Sequence, residues 1–207
     1  TMARLYTKRT DGYIPGSVTT SHLTLKEHAY LMERGMRPQD MPKSMYSVTV
    51  QKKGETLNGF GILNDAGGVE FCGTDNLDEP ISIGINGILF IPWKARCTAH
   101  TCNMFADFLD YLSFKTFQEH SVMTFPTDSD SIIINHPVNF LHAMVKSDVY
   151  DNINLFMPNN TYGRTITMSI VQRNPRHTTD CSPHYQSYEH FRDFVHSLME
   201  RKEERWT

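Results

Sequence analysis

The stretch Thr98-Ala-His-Thr-Cys-Asn-Met-Phe-Ala-Asp-Phe-Leu-Asp-Tyr-Leu-Ser-Phe-Lys-Thr-Phe117 joins two kinds of pattern. Thr98 to Phe105 reads as a strand, and beyond it Phe108, Leu109, Leu112 and Phe117 fall on one helical face. From there the chain keeps alternating. Val122 to Phe125 and Ser131 to Ile134 are short and apolar, as strands buried on both faces are. Val138 to Val145 reads as a helix with Phe140, Leu141, Met144 and Val145 inward. Ile153 to Met157 is the clearest buried strand, and Gly163 to Val171 follows it as a helix. A final helix from Tyr188 to Arg201 buries Phe191, Phe194, Val195 and Leu198. Strands alternating with helices of this length predict an α/β protein with a mostly parallel sheet and flanking helices.

Towards the N-terminus the period changes to two. Tyr46 to Val50 alternates, Gly54 marks a turn, and Leu57 to Leu63 reads as the returning strand. Asn64-Asp-Ala-Gly-Gly68 is a turn signal, and Val69 to Cys72 is a third strand of a β-meander. Ile81 to Ile85 and Ile88 to Ile91 suit further strands. Before the meander, Thr24-Leu-Lys-Glu27 is a capping box, with Leu25, His28, Ala29 and Met32 at helical spacing and Gly35 as the stop. A short helical segment is expected over Gln39 to Met45. Residues 1–20 lack periodicity and read as an arm. The expected division is therefore 1–95, an arm, helix and meander, and 96–207, the α/β domain.

Composition narrows the function. The 207 residues are 39% hydrophobic and 21% charged, ordinary values for a chain that fills a core. A net charge of −3 is not the footprint of a protein that grips duplex DNA over a broad face. No apolar run approaches the ~18–20 residues of a membrane span. The longest candidate, Ile81 to Trp93, is cut by Gly84, Asn86 and Gly87. Thr1 to Arg9 is polar and basic with no apolar run behind it, so no signal peptide is expected. The four cysteines (Cys72, Cys97, Cys102 and Cys181) are scattered and read as free thiols. A cytoplasmic setting is the expectation.

Several segments in this order resemble the Toprim-type primase-like proteins of bacterial mobile elements. Tyr30-Leu-Met-Glu-Arg-Gly-Met36 is similar to that family's Y-L-x-x-R-G-I helix, and Gly67-Gly-Val-Glu-Phe71 to its G-G-Y-E-L turn. Asp110-Tyr-Leu-Ser113 matches a helix beginning x-x-D-F-L-S. Asn135-His-Pro-Val-Asn-Phe-Leu141 loosely matches N-S-V-x-x-L. Met157-Pro-Asn-Asn-Thr-Tyr-Gly-Arg164 stands where the family has D-x-D-x-A-G-R, and Asp180-Cys-Ser-Pro-His-Tyr185 where it has D-x-S-x-x-Y. The resemblance implies a Toprim-like sheet and a site at the strand ends.

The resemblance also implies a strand-end glutamate as general acid/base and a D-x-D pair holding magnesium. In this sequence the glutamate's position is Ala106, followed by Asp107, and the two aspartates fall on Pro158 and Asn160. Alanine moves no proton and proline offers no side-chain ligand, while magnesium needs hard, charged oxygens. The expectation is a catalytically degenerate protein with no cofactor, retained as a binding or assembly module in mobile-element replication or transfer. Two alternatives stay open. One is an active magnesium-dependent nucleotidyl transferase or nuclease in which a bulge swings Asp107 towards Asp110. The other is a protein-binding regulatory module without nucleic-acid contact. Against the first, Asp107 reads as an acid in the first turn of a helix and Asp110 as a framework acid.

The partners expected are single-stranded nucleic acid or replication proteins. Asn159, Asn160, Arg164, Arg173 and Arg176 are the candidate contacts to phosphate or base, though paired asparagines also suit a plain turn. Cys97-x-x-His-x-Cys102 lacks zinc-ribbon spacing, and on a strand Cys97 points away from His100 and Cys102. Of the ten histidines, His184, His190 and His196 gather near the last helix without a ligand pattern.

Overall fold

The computed structural model describes residues 13–52, 55–75, 79–93, 99–120 and 128–203. Two five-stranded sheets organise it. The first runs β1 (Tyr13–Ser21), β2 (Met45–Lys52), β3 (Glu55–Leu63), β4 (Val69–Gly73) and β5 (Ile81–Ile83) in chain order, every pair antiparallel. Residues 13–20, read from sequence as part of an arm, are its edge strand. Val18-Thr-Thr-Ser21 pairs with Ser47 to Val50, and the register shifts between Tyr13 and Val18, where Pro15-Gly16 interrupts the ladder.

Helix α1 (Leu25–Glu33) carries the capping box predicted for it: Glu27 accepts from the Thr24 amide. Its buried residues, however, are Glu27, Tyr30 and Leu31, while Leu25 and Met32 are exposed. Glu27 tolerates burial because Ser47 Oγ also donates to it. Gly35 ends the helix at φ +71°, a conformation that favours glycine. The helix expected over Gln39 to Met45 is only a 3-10 turn, Pro38–Asp40. Pro38 and Pro42 each lack the amide a helix needs, and Met45 already belongs to β2.

The second sheet has the order β10-β9-β7-β8-β6, from β6 (Leu89–Ile91), β7 (Thr101–Phe105), β8 (Ser129–Ile133), β9 (Asn152–Phe156) and β10 (Thr178–Asp180). Four strands are parallel and β6 closes one edge antiparallel to β8. The expected strand at Val122 to Phe125 lies outside the described residues. Because β6 precedes residue 96, the boundary at 95/96 cuts this sheet rather than preceding it.

Helices α2 (Phe108–His120), α3 (Phe140–Ser147), α4 (Thr161–Arg173) and α5 (Phe191–Glu203) flank the second sheet. Strand side chains alternate between its faces. Cys102, Met104, Ile132, Ile153 and Leu155 meet α3 and α4 on one face. Phe105, Ile133 and Phe156 meet α2 and α5 on the other, in the same core as Tyr30, Met45 and Phe60. Two edge-to-face contacts carry that core between the sheets: Tyr30 on Phe60 at 5.6 Å and Phe60 on Phe108 at 6.1 Å. Helix α3 turns inward only part of the face its sequence suggested. Phe140, Ala143 and Met144 pack on the sheet, whereas Val138, Leu141, Val145 and Val149 form an exposed stripe.

Candidate functional site

Strands β7 and β9 are parallel neighbours with Phe105 opposite Phe156, so both chains leave the sheet at the same, carboxyl end. That end is where ligands of parallel sheets bind. Asp107 is the first charged group beyond β7. Its Oδ1 accepts from the amides of Leu109 and Asp110 at 2.9 and 3.1 Å, which caps α2. Asp110, one turn on, is completely buried. Its Oδ1 accepts the Arg192 amide at 2.9 Å, while Oδ2 has no hydrogen-bond partner.

The start of α5 supplies the other half. Phe191 inserts among Phe114, Phe117, Phe156 and Tyr185, and this anchoring turns its neighbours towards the end of β7. Arg192 Nη1 donates to Asp107 Oδ2 at 2.7 Å, and Nη2 reaches both oxygens of Glu79 at 2.8 and 3.0 Å. His190 Nδ1 stands 3.6 Å from Asp110 Oδ2 and 3.9 Å from Asp107 Oδ2, and it too has no hydrogen-bond partner. Burial, then the charge of Asp107, raises the pKa of Asp110. Burial lowers that of His190, but the facing Asp110 carboxylate outweighs it and the net shift is upward. Arg192 is likewise opposed by burial yet held more firmly protonated by Asp107, Asp110 and Glu79.

The end of β9 is tied to the same corner. The Asn159 amide donates to the Glu189 carbonyl at 2.7 Å, and Asn160 Nδ2 to the Glu189 carboxylate at 2.8 Å. These asparagines are structural. Asn159 Nδ2 faces the carbonyls of Ser182, Tyr185 and Tyr188, and Asn160 Oδ1 caps α4 at the Gly163 amide. Asn159 Nδ2 and both polar groups of Asn160 are thus engaged within the protein, so a contact of these side chains to phosphate or base has to form alongside those bonds. Gly163 is required where it stands, since a Cβ there would lie 2.0 Å from the Pro158 carbonyl oxygen. Of the candidate arginines, Arg173 is bound to Asp148 through two nitrogens, while Arg164 and Arg176 are exposed.

The residues at Ala106, Pro158 and Asn160 do not fit the magnesium site that the Toprim resemblance implies. Two lack a ligating side chain, and the third offers only a neutral amide oxygen that already accepts the Gly163 amide. A different set does meet. The ligating atoms of Asp107, Asp110 and His190 all lie within 4.8 Å of one another. Beside them a cavity of about 420 Å³ is lined by Arg34, Glu79, Glu189, His190, Arg192 and His196, among others. His190, Arg192 and Glu79 were not singled out for this site from sequence. The available signal was the polar pair flanking a core phenylalanine at a helix start. Of the Cys97–His100–Cys102 grouping, Cys97 lies outside the described residues, Cys102 is buried in the sheet, and exposed His100 pairs with Asp151.

No family model and no curated protein matches this sequence. The fold does find a likeness in the crystal structure of the primase fragment of the bacteriophage T7 primase-helicase protein. The TM-score is 0.50 at 11% identity, over 94% of this chain and 80% of that one. The chain has a primase-like fold. No helix among the described residues is long and apolar enough to cross a membrane.

Proposed function

We propose that this is a catalytically degenerate Toprim-like protein that uses a primase-type fold to bind single-stranded nucleic acid or a replication assembly, in the setting of mobile-element replication or transfer. One observation carries the reading: at the carboxyl ends of β7 and β9, Ala106, Pro158 and Asn160 offer no carboxylate. Metal-assisted phosphoryl transfer needs anionic oxygens to hold its cation in line with the substrate. Exposed Arg164, in the first turn of α4 beside the strand ends, is the residue best placed to meet a phosphate.

The test has two arms. With magnesium, nucleotides and a single-stranded template, the protein is expected neither to extend nor to cut the strand; turnover abolished by chelation overturns the reading. At low salt it is expected to bind a labelled single-stranded oligonucleotide. Arg164→Ala should then reduce the steepness of the salt dependence by about one phosphate contact, ~0.7 in the log–log slope.

A second reading, a protein-binding regulatory module, is favoured by the exposed stripe of Leu141 and Val145 on α3 with Val138 before it and Val149 after it. It takes over if no oligonucleotide binds while a protein partner is captured, and capture fails in a Leu141→Glu, Val145→Glu double variant.

A further inference from the structure

We infer that Asp107, Asp110 and His190 form a site for one divalent first-row transition-metal cation, such as Mn²⁺, Co²⁺ or Zn²⁺, bridging the end of β7 to the start of α5. The three donors come from two separated segments and meet within 4.8 Å. Their separations of 3.6 and 3.9 Å from His190 Nδ1 need only a small contraction around an ion. Ligands ~2.0–2.2 Å from a common centre stand roughly 3–3.6 Å apart.

A second observation points independently to a ligand. Asp110 is 0% exposed, yet its Oδ2 has no partner, and His190 Nδ1 facing it has none either. An orphaned carboxylate oxygen buried this deeply is costly. A cation between the two atoms satisfies both. The Arg192 contact does not consume the site, because Asp107 Oδ2 has a second lone pair to offer. Charge agrees. Asp107, Asp110 and Glu79 place three carboxylates around the Arg192 guanidinium at this corner.

The donor chemistry sets the class of metal. One imidazole nitrogen with two carboxylates suits Mn²⁺, Co²⁺ or Zn²⁺, whereas Mg²⁺ prefers oxygen alone. The site therefore differs in donors and positions from the magnesium site for which Ala106, Pro158 and Asn160 are unfit. The adjoining cavity reaches the site at His190, which is among its lining residues. The inference does not rest on nucleic-acid binding.

The experiment is a Co²⁺ titration of metal-free protein, followed by visible absorption. One equivalent per chain is expected, displaced by Zn²⁺ and unaffected by millimolar Mg²⁺. His190→Gln should weaken it by more than ~10-fold, while His100→Gln, at an exposed histidine on the opposite end of β7, leaves it unchanged. A wild-type measurement guards against a variant that fails to fold. Substoichiometric Mn²⁺ should broaden the imidazole proton resonances of His190 and leave those of His100 sharp. Absence of a saturable one-to-one Co²⁺ signal, an unchanged affinity in His190→Gln, or broadening that spares His190 overturns the assignment.

Discussion

Glu70 shows how a single side chain can make the whole molecule pH-sensitive. It lies on β4, where all five residues are buried, and its two oxygens accept from Asn64 and Ser82 at 2.7 Å. Burial is the larger influence and lifts its pKa from an ordinary 4.5 to about 7. The folded protein thus holds this proton more tightly than the unfolded chain does. Stability falls as pH rises from about 4.5 to about 7, and the loss is complete above that window. Glu70→Gln keeps the acceptor for Asn64 and lets Ser82 reorient. It should match the native protein near pH 4.5 and exceed it at pH 8 by on the order of 3 kcal/mol. Urea unfolding at the two pH values checks this; parallel profiles would place the ionised carboxylate in water. The sequence revealed the turn that Asn64 closes, since Asn-Asp-Ala-Gly-Gly is a local signal. It could not reveal that Glu70 points into protein, because that depends on β5 returning alongside β4. His190 was obscured in the same way: its partners lie about 80 residues away in sequence.

Among the elements, α5 binds architecture and site together. Phe191 contributes the start of the helix to the core, with ring contacts at 5.2 Å to Phe156, 5.3 Å to Tyr185 and 5.5 Å to Phe117. Phe191→Ala should cost about 3–5 kcal/mol. It should also release the residues on either side, so Co²⁺ affinity falls further than in His100→Gln. Calorimetric melting and the Co²⁺ titration read the two effects separately. A large loss of stability with unchanged Co²⁺ binding would show that Phe191 does not position His190. This helix was legible because its apolar spacing is long and regular. For α1 and α3, the helices were legible but their inward faces only in part. Spacing alone does not say which of two neighbouring apolar stripes will dock. In α1 the choice went to Tyr30 and Leu31, with Glu27 drawn inward by its hydrogen bonds. In α3 it went to Ala143, whose small side chain permits close approach to the sheet, and Leu141 was left outside at 66% exposed.

At the scale of the molecule, the parallel sheet was legible from its alternation of strand and helix, whereas the way the meander joins it was not. Tyr30, Leu31, Met36, Phe60 and Ile62 pack into the same core as Phe105, Phe156 and Phe191, and Leu89 of β6 belongs to it as well. These contacts cross the proposed division at residue 95/96. Burying each such side chain stabilises the fold by ~1.5–3 kcal/mol, against a typical net margin of about 5–15 kcal/mol. Losing six of them, about 9–18 kcal/mol, is comparable to that whole margin. A fragment of residues 96–207 also lacks β6, which would leave the β8 edge of the sheet unpaired. The intact chain should therefore unfold in one transition, with far-UV and near-UV circular dichroism changing together in urea, and the fragment should show no cooperative transition. If the fragment melts cooperatively on its own, the two sheets are separate folding units and the shared core is only a contact between them. That outcome would also free the carboxyl-end site from dependence on α1 and the meander, although Arg34 and Glu79 would still be missing from its cavity.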